Sequence, residues 1–370
     1  MSATSDARRC WAEISPDALR HNADAVRTQI GPLVKMMAVI KANAYGHGAG
    51  PVAEALADRA EMFGVANVTE AEEVRRHVPG TPIFILGPAL PDERARIAAA
   101  RFIPTISNFE EAAAFASLAG AEPLPIHLKL DTGMGRIGIQ ENDAVAVTQK
   151  IKALRGVAIT GLASHLPVAD EDDAFTREQL AHFLRVVAGL RALGLDQPLV
   201  HVENSAGLIG YPAQAGDMVR AGLVLYGSAP LPEFQSKLRA VMTWKTRITL
   251  VRSVPAGRGI SYGRTFITPA PMCVATLAVG YADGYQRHLS NRGSEVLIRG
   301  RRCAVLGRVT MDQIVVDVSA WPSVEAGEEV VLLGRQGEEE ILAAELARKS
   351  GTIPWEIFTS VGRRVERVCV

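Results

Sequence analysis

The chain is poor in cysteine, balanced in charge and free of long apolar runs, and each of these absences removes a class of protein. Only four cysteines occur among 370 residues. Cys10, Cys273, Cys303 and Cys369 are scattered, with neither the spacing of metal ligands nor that of a disulfide framework. A reducing, cytoplasmic location and no metal are therefore expected. Forty basic residues meet forty acidic ones, so the net charge offers no attraction for nucleic acid or an anionic membrane. No apolar stretch approaches the roughly 20 residues of a membrane span. The first ten residues lack the apolar core of a signal peptide. What remains is a balance of 48% hydrophobic and 22% charged residues, the composition of a globular protein rather than a disordered one.

At this length two domains are expected, and the pattern changes near residue 240. Before it, eight short apolar runs alternate with helix-like stretches: 37–41, 62–65, 82–86, 102–105, 126–130, 157–162, 199–202 and 218–224. They lack polar alternation, as buried parallel strands do. Helix starts are read at Ser15-Pro16, at Thr69 with Glu72, at Thr176 with Gln179 and, more loosely, at Asn108 with Glu111. Eight such units count out an α/β fold, a (β/α)8 TIM-type barrel, over residues 1–240, with the first residues also candidates for the second domain. The count alone leaves a doubly wound sheet open. Residues 241–370 read as a mainly-β domain, with strands at 244–253, 272–279, 295–298, 313–318 and 329–333 and one helix around 343–350.

Lys41 closes the first of the apolar runs. A lysine there is costly unless it reaches water, points into a polar site or is used covalently. In a desolvated pocket its pKa falls, which favours the neutral amine that attacks an aldehyde. The run Val39-Ile-Lys-Ala-Asn-Ala-Tyr-Gly-His-Gly48 is followed by five further segments: His127–Arg136, Asp217–Arg220 with Leu225-Tyr-Gly227, Ser261-Tyr-Gly263, Gly280–Gly284 and Met311-Asp-Gln313. In that order the chain resembles the alanine racemase family almost from end to end.

The resemblance implies a barrel followed by a β-rich domain, a homodimer with composite active sites, and pyridoxal 5'-phosphate as cofactor. It implies interconversion of L- and D-alanine, supplying D-alanine for cell-wall peptidoglycan. Lys41 would carry the cofactor and act as base on one face of the α-carbon. Tyr262, from the partner, would act on the other, since racemisation removes a proton from one side and returns it from the opposite side. A free tyrosine ionises near pH 10, so this role needs a supporting polar network. Arg220 would hydrogen-bond the pyridine nitrogen. An arginine there donates without giving up a proton, so the ring nitrogen stays neutral and the electron sink weak. His201 would hold Arg220, and His165 would pack against the ring. Arg136 would bind the phenolic oxygen and the substrate carboxylate, beside a Lys129 open to carbamylation. Tyr45, Asn204, Ser205, Gly222 and Leu223 would surround the phosphate, where barrels commonly hold one. Tyr281, Met311 and Asp312 would line the substrate pocket from the partner.

Three positions depart from the family pattern. Trp355 replaces a tyrosine, and an indole can donate one hydrogen bond but accept none; this leaves serine or a broader range of small amino acids as alternative substrates. Glu203 stands where a small residue is usual, and Thr310 precedes Met311-Asp312. An amino-acid decarboxylase of the barrel type is disfavoured by Arg220, since those enzymes place an acid there. A non-catalytic carrier of the cofactor is disfavoured by the second domain.

Overall fold

Each of the eight apolar runs forms a parallel strand: Lys35–Val39, Met62–Val65, Ile83–Ile85, Ile103–Ile106, Leu124–Asp131, Val157–Ala163, Leu199–His201 and Met218–Ala221. The structure is a computed structural model and describes residues 8–195, 197–211, 216–321 and 323–370. The first strand pairs with both the second and the eighth, placing Met37 opposite Arg220 and Met62. Neighbours in sequence pair in parallel onward to the seventh strand. Strands seven and eight are joined by the Asp217 N–H on the Val200 carbonyl and the Arg220 N–H on the Glu203 carbonyl, both 2.9 Å. The result is a nearly closed eight-stranded barrel, which disposes of the doubly wound sheet.

Helices between the strands cover the barrel, so both faces of each strand are apolar. Met37, Met62, Phe84, Ile103 and Met218 form one buried cluster with Leu86 and Leu199 against it. These side chains come from six of the strands or their ends, and each of the five buried ones is worth about 1.5–3 kcal/mol.

Two of the expected helix starts move. The helix Val68–His77 is capped by Asn67, whose side chain accepts the Glu70 N–H, so Thr69 lies inside it. The helix Asp173–Arg191 is capped by Asp172, whose side chain accepts the Phe175 N–H, so Thr176 lies inside as well. Both true caps are acid or amide side chains that, like threonine, accept a main-chain N–H, and they stand earlier in the chain. Asn108 does cap its helix, Phe109–Ser117, by accepting the Glu111 N–H at 2.8 Å, while Glu111 accepts the Ser107 N–H at 2.7 Å. Asn108→Ala should therefore lower stability by about 1 kcal/mol. Urea unfolding at equilibrium checks this, and an unchanged midpoint counts against the cap.

The remaining unit is mainly β. It takes in the strand Cys10–Ile14, the short segment Tyr45–Gly48 and Ala240–Val370. The long strand Met242–Val254 is its spine, pairing antiparallel with Cys10–Ile14, Met272–Leu277 and Glu329–Gln336. The strands Arg301–Leu306, Glu339–Ile341 and Glu366–Cys369 and a second helix, Pro354–Ser360, went unread in the sequence. Arg301–Leu306 and Glu366–Cys369 are only partly buried and charged, so they lack an apolar signature. Among the described residues no helix is long and apolar enough to cross a membrane.

Candidate active site

Lys41 lies two residues past the end of the first barrel strand, and the backbone beyond it is unusual. Ala42, Asn43, Ala44 and Tyr45 all have φ between 52° and 54°. Left-handed backbone costs about 1–2 kcal/mol per residue that carries a Cβ, so this turn must be held from outside. Glu70 accepts the Ala42 N–H and, with its other oxygen, the Ala66 N–H, both at 2.8 Å. Asn43 accepts the Ala49 N–H at 2.8 Å, and the Ala44 N–H reaches the Ile40 carbonyl at 2.9 Å. Strain fixed in this way presents Lys41 in one direction. Burial pulls the Lys41 pKa below its ordinary value, helped by the positive charges of Arg136 and Arg220 and opposed by Glu70. The amine is therefore neutral, and nucleophilic, at lower pH than a surface lysine.

Arg220 lies in the eighth strand and is almost wholly buried. One terminal nitrogen donates to the His201 ring Nδ1 and the His201 carbonyl, both at 2.9 Å. The other donates to the carbonyls of Ser164 and Val202 at 2.8 Å and to the His165 Nδ1 at 2.9 Å. These bonds settle the histidine tautomers. An Nδ1 that accepts leaves the proton on Nε2, and His201 Nε2 then donates to His127 Nδ1 at 2.9 Å. Burial, then the charge of Arg220, keeps His127, His165 and His201 neutral, with His127 lowered to about 3. Arg220 is itself lowered, to about 10, chiefly by burial. It remains a cation at neutral pH, and its Nε–H makes no hydrogen bond among the described residues.

A group of main-chain donors lies beside it. Ser205 Oγ accepts the N–H of Gly222 at 3.1 Å and that of Val224 at 3.5 Å. Gly222 opens the short turn Leu223–Tyr226. Asn204 caps the helix Ser205–Gly210, accepting from Ala206 and Gly207 and donating to the Leu166 carbonyl at 3.0 Å. Tyr45 is buried, which pushes its phenol upward.

Arg136 is exposed, on the loop after the fifth strand. Asp131 shapes that loop by accepting the N–H groups of Gly133, Met134 and Gly135 at 3.0–3.1 Å. Lys129 is buried in the same strand, and burial and the charges of Arg220 and Arg136 drive its pKa well down while Asp131 opposes them.

In the β-rich unit, Tyr262 is 70% exposed. It is presented by Ser261, whose φ is 60° and whose hydroxyl donates to the Arg308 carbonyl at 2.6 Å. Tyr281 and Met311 are also exposed. Asp312 pairs with Arg364 at 2.8 Å, and Arg364 also pairs with the buried Asp283 at 3.1 Å. Gly280 sits so close to the carbonyls of Thr310 and Met311 that a Cβ there would lie 2.3 Å from each, which binds the Tyr281 loop to the Met311 loop. Trp355 is half-buried in the helix Pro354–Ser360.

Comparison with known proteins agrees with this geometry over both units. Residues 14–230 match the model of the alanine racemase N-terminal domain and residues 241–369 that of its C-terminal domain. The chain belongs to the alanine racemase family. It is 43% identical to the alanine racemase of Halothermothrix orenii over 366 residues, covering 97% of this chain and 96% of the relative. The structure of the alanine racemase from Clostridium difficile superposes with a TM-score of 0.91 at 33% identity, covering 98% of this chain and 96% of that one. That from Bacillus anthracis, with bound L-Ala-P, superposes with a TM-score of 0.90 at 34% identity, covering 98% and 95%. The activity of this racemase family member is the interconversion of alanine's enantiomers.

The barrel unit brings together Lys41, Lys129, His165, His201, Asn204, Ser205, Arg220, Gly222 and Leu223 on strands one and five to eight and the loops behind them. Three contributors in this racemase barrel escaped the sequence reading. Glu70 holds the turn at Lys41, His127 extends the histidine chain, and Ser164 offers its carbonyl to Arg220. His127 lay inside a quoted motif, which was the available signal; Glu70 and Ser164 had none.

Proposed function

We propose that this enzyme racemises alanine with pyridoxal 5'-phosphate bound at Lys41, using Lys41 and the Tyr262 of a second subunit as opposed bases. The residues present suit that cofactor. Lys41 is a desolvated amine, the form that joins an aldehyde. Ser205 Oγ accepts the N–H groups of Gly222 and Val224, which leaves its hydroxyl proton to donate to a phosphate at this turn. Arg220 keeps one donor, Nε–H, with every terminal N–H committed elsewhere, which suits a ring nitrogen that only accepts. The cofactor, when bound, withdraws electrons from the α-carbon of the amino acid and makes its proton removable. Tyr45 and Asn204 complete the phosphate surroundings, Leu223 adds its N–H, and His165 lies along the ring.

The observation that carries the proposal is the Arg220 network. A buried arginine whose five partners are neutral acceptors is a fixed positive charge aimed by its surroundings. Arg136 supplies the cation for the substrate carboxylate, and a carbamylated Lys129 would turn a buried repulsion into an attraction. Tyr262, Tyr281, Met311 and Asp312 serve the partner's site in a homodimer. Exposure of Tyr262, Tyr281 and Met311 supports that role, because an apolar or aromatic surface costs free energy until it is covered. The four free thiols suit the reducing cytoplasm, and the D-alanine made serves cell-wall peptidoglycan.

The test uses each alanine enantiomer in heavy water. Inversion with deuterium gained at the α-carbon is expected from both, and failure of either enantiomer to invert sinks the reading. The same assay with serine decides whether Trp355 admits a larger side chain. Ser205→Ala should weaken cofactor binding roughly 10–100-fold, since a hydrogen bond to a charged group is worth about 1.5–3 kcal/mol. Titration of apoenzyme followed by absorbance checks this, and an unchanged dissociation constant removes Ser205 from the phosphate site.

A further inference from the structure

Glu203 has no part in the chemistry above, yet it stands next to it. It follows the seventh strand, and its carbonyl accepts the Arg220 N–H at 2.9 Å. Its side chain has no exposed surface, and neither carboxyl oxygen has a hydrogen-bond partner among the described residues. On the side of Gly207 and Leu166 its surroundings are apolar and tight. A Cβ added to Gly207 would come within 3.0 Å of the Glu203 Cβ and 2.9 Å of a Leu166 methyl group. The neighbouring Asn204 amide is turned away from Glu203, donating to Leu166 and accepting from Ala206 and Gly207.

A carboxylate in such a place is costly, and the cost falls if it stays protonated. The helix Ser205–Gly210 and the Leu166 segment bring no charged group against it. From the eighth strand comes Arg220, the one charge acting on Glu203 among the described residues. The relation is mutual and one-sided in sign. Beside burial, Arg136 works against the Arg220 charge and Glu203 is the acid that favours it, while the histidines against Arg220 are neutral. No ion pair joins them, so the coupling acts through space.

We propose that Glu203 is a positioning residue for Arg220: as a neutral acid it leaves the guanidinium charge uncompensated and its Nε–H a strong donor, and on ionising it becomes the counter-ion that weakens that donor. The effect on a bound ring rests on the function proposed above; the ionisation of Glu203 does not. Burial raises the Glu203 carboxyl to about 8, with Arg220 pulling the other way. In the unfolded chain the same group ionises near 4.5. Between these values the unfolded state has lost the proton and the folded state has kept it, so this group makes stability fall as pH rises from about 4.5 to 8.

The experiment compares the full-length wild-type enzyme with Glu203→Gln, which resembles the protonated acid, and Glu203→Ala. Infrared difference spectra of the wild type against pH should show a buried protonated carboxyl that disappears with a midpoint near pH 8 and is absent from Glu203→Gln. The melting temperature of Glu203→Gln should gain on the wild type between pH 5 and 8 and then hold that gain. The visible band of the holoenzyme should shift with the same midpoint in the wild type and stay fixed in Glu203→Gln. Absence of the infrared band at pH 6, or equal pH dependence of melting in wild type and Glu203→Gln, overturns the proposal. If both arms succeed but the visible band ignores Glu203, the link to Arg220 is overturned. If the enzyme binds no pyridoxal phosphate at all, the infrared and melting arms still judge the ionisation, and it is the proposed function that fails.

Discussion

Tyr262→Phe is expected to slow racemisation by roughly 10²–10⁴-fold, the usual contribution of one positioned acid–base group, while leaving stability unchanged. The phenylalanine ring keeps the shape of the side chain and removes only the oxygen. Tyr262 is mostly exposed in its own unit, so folding of that unit does not depend on the hydroxyl. Two opposed bases imply that the loss is unequal between individual steps. The enantiomer whose α-proton faces Lys41 should still exchange that proton with solvent, and its mirror image should not. Steady-state rates cannot show this, because the overall equilibrium between enantiomers ties the two directions together. Single-turnover exchange with α-deuterated L- and D-alanine can. Retained inversion at near wild-type rate, or equal loss of exchange from both enantiomers, would remove Tyr262 as a base.

The barrel was legible because its strands are buried on both faces. A run such as Met62-Phe-Gly-Val65 has no polar alternation to mislead, and all eight runs were found where strands form. Helix caps were less legible. Thr69 and Asn67 have the same capping chemistry two residues apart, and only the backbone decides which one ends the extended segment. The strand Glu366–Cys369 carries Glu366 and Arg367 and pairs with Cys10–Ile14 at the far end of the chain, a pairing that no local pattern announces. In the site, Lys41 and Arg220 were visible as motif residues. The strain at Ala42–Tyr45 was not, since alanine ordinarily avoids that conformation and nothing local demands it. Glu70 illustrates why: it acts across 28 residues of sequence, on a backbone N–H that has no sequence signature. Glu203 stood out as a residue of the wrong size and charge, but only the structure showed that its oxygens are without partners among the described residues.

Arg220→Met should destabilise the protein by about 3–5 kcal/mol, and by less at acid pH. The thioether fills much of the space but donates nothing, so the carbonyls of Ser164 and Val202 and the Nδ1 atoms of His165 and His201 lose the guanidinium bonds. An unsatisfied buried acceptor costs about 1–3 kcal/mol. The His201 carbonyl is less affected, since it keeps the Ser164 N–H at 3.2 Å. The pH dependence separates this account from simple loss of packing. In the wild type, burial and then Arg220 hold His165 and His201 well below the ordinary histidine value of 6.5. Below pH 6.5 the unfolded state takes up protons that these folded-state histidines refuse, so their contribution to stability is lost as pH falls. Without Arg220 the folded-state values rise toward 6.5, and part of that loss disappears. A protonated ring also regains a donor that can turn toward an orphaned carbonyl. Urea unfolding of both proteins from pH 7 to pH 5 should therefore show the gap narrowing. A gap that stays constant would mean that the histidines do not sense Arg220, and a gap under about 1 kcal/mol at pH 7 would mean that the network does not hold this side of the barrel.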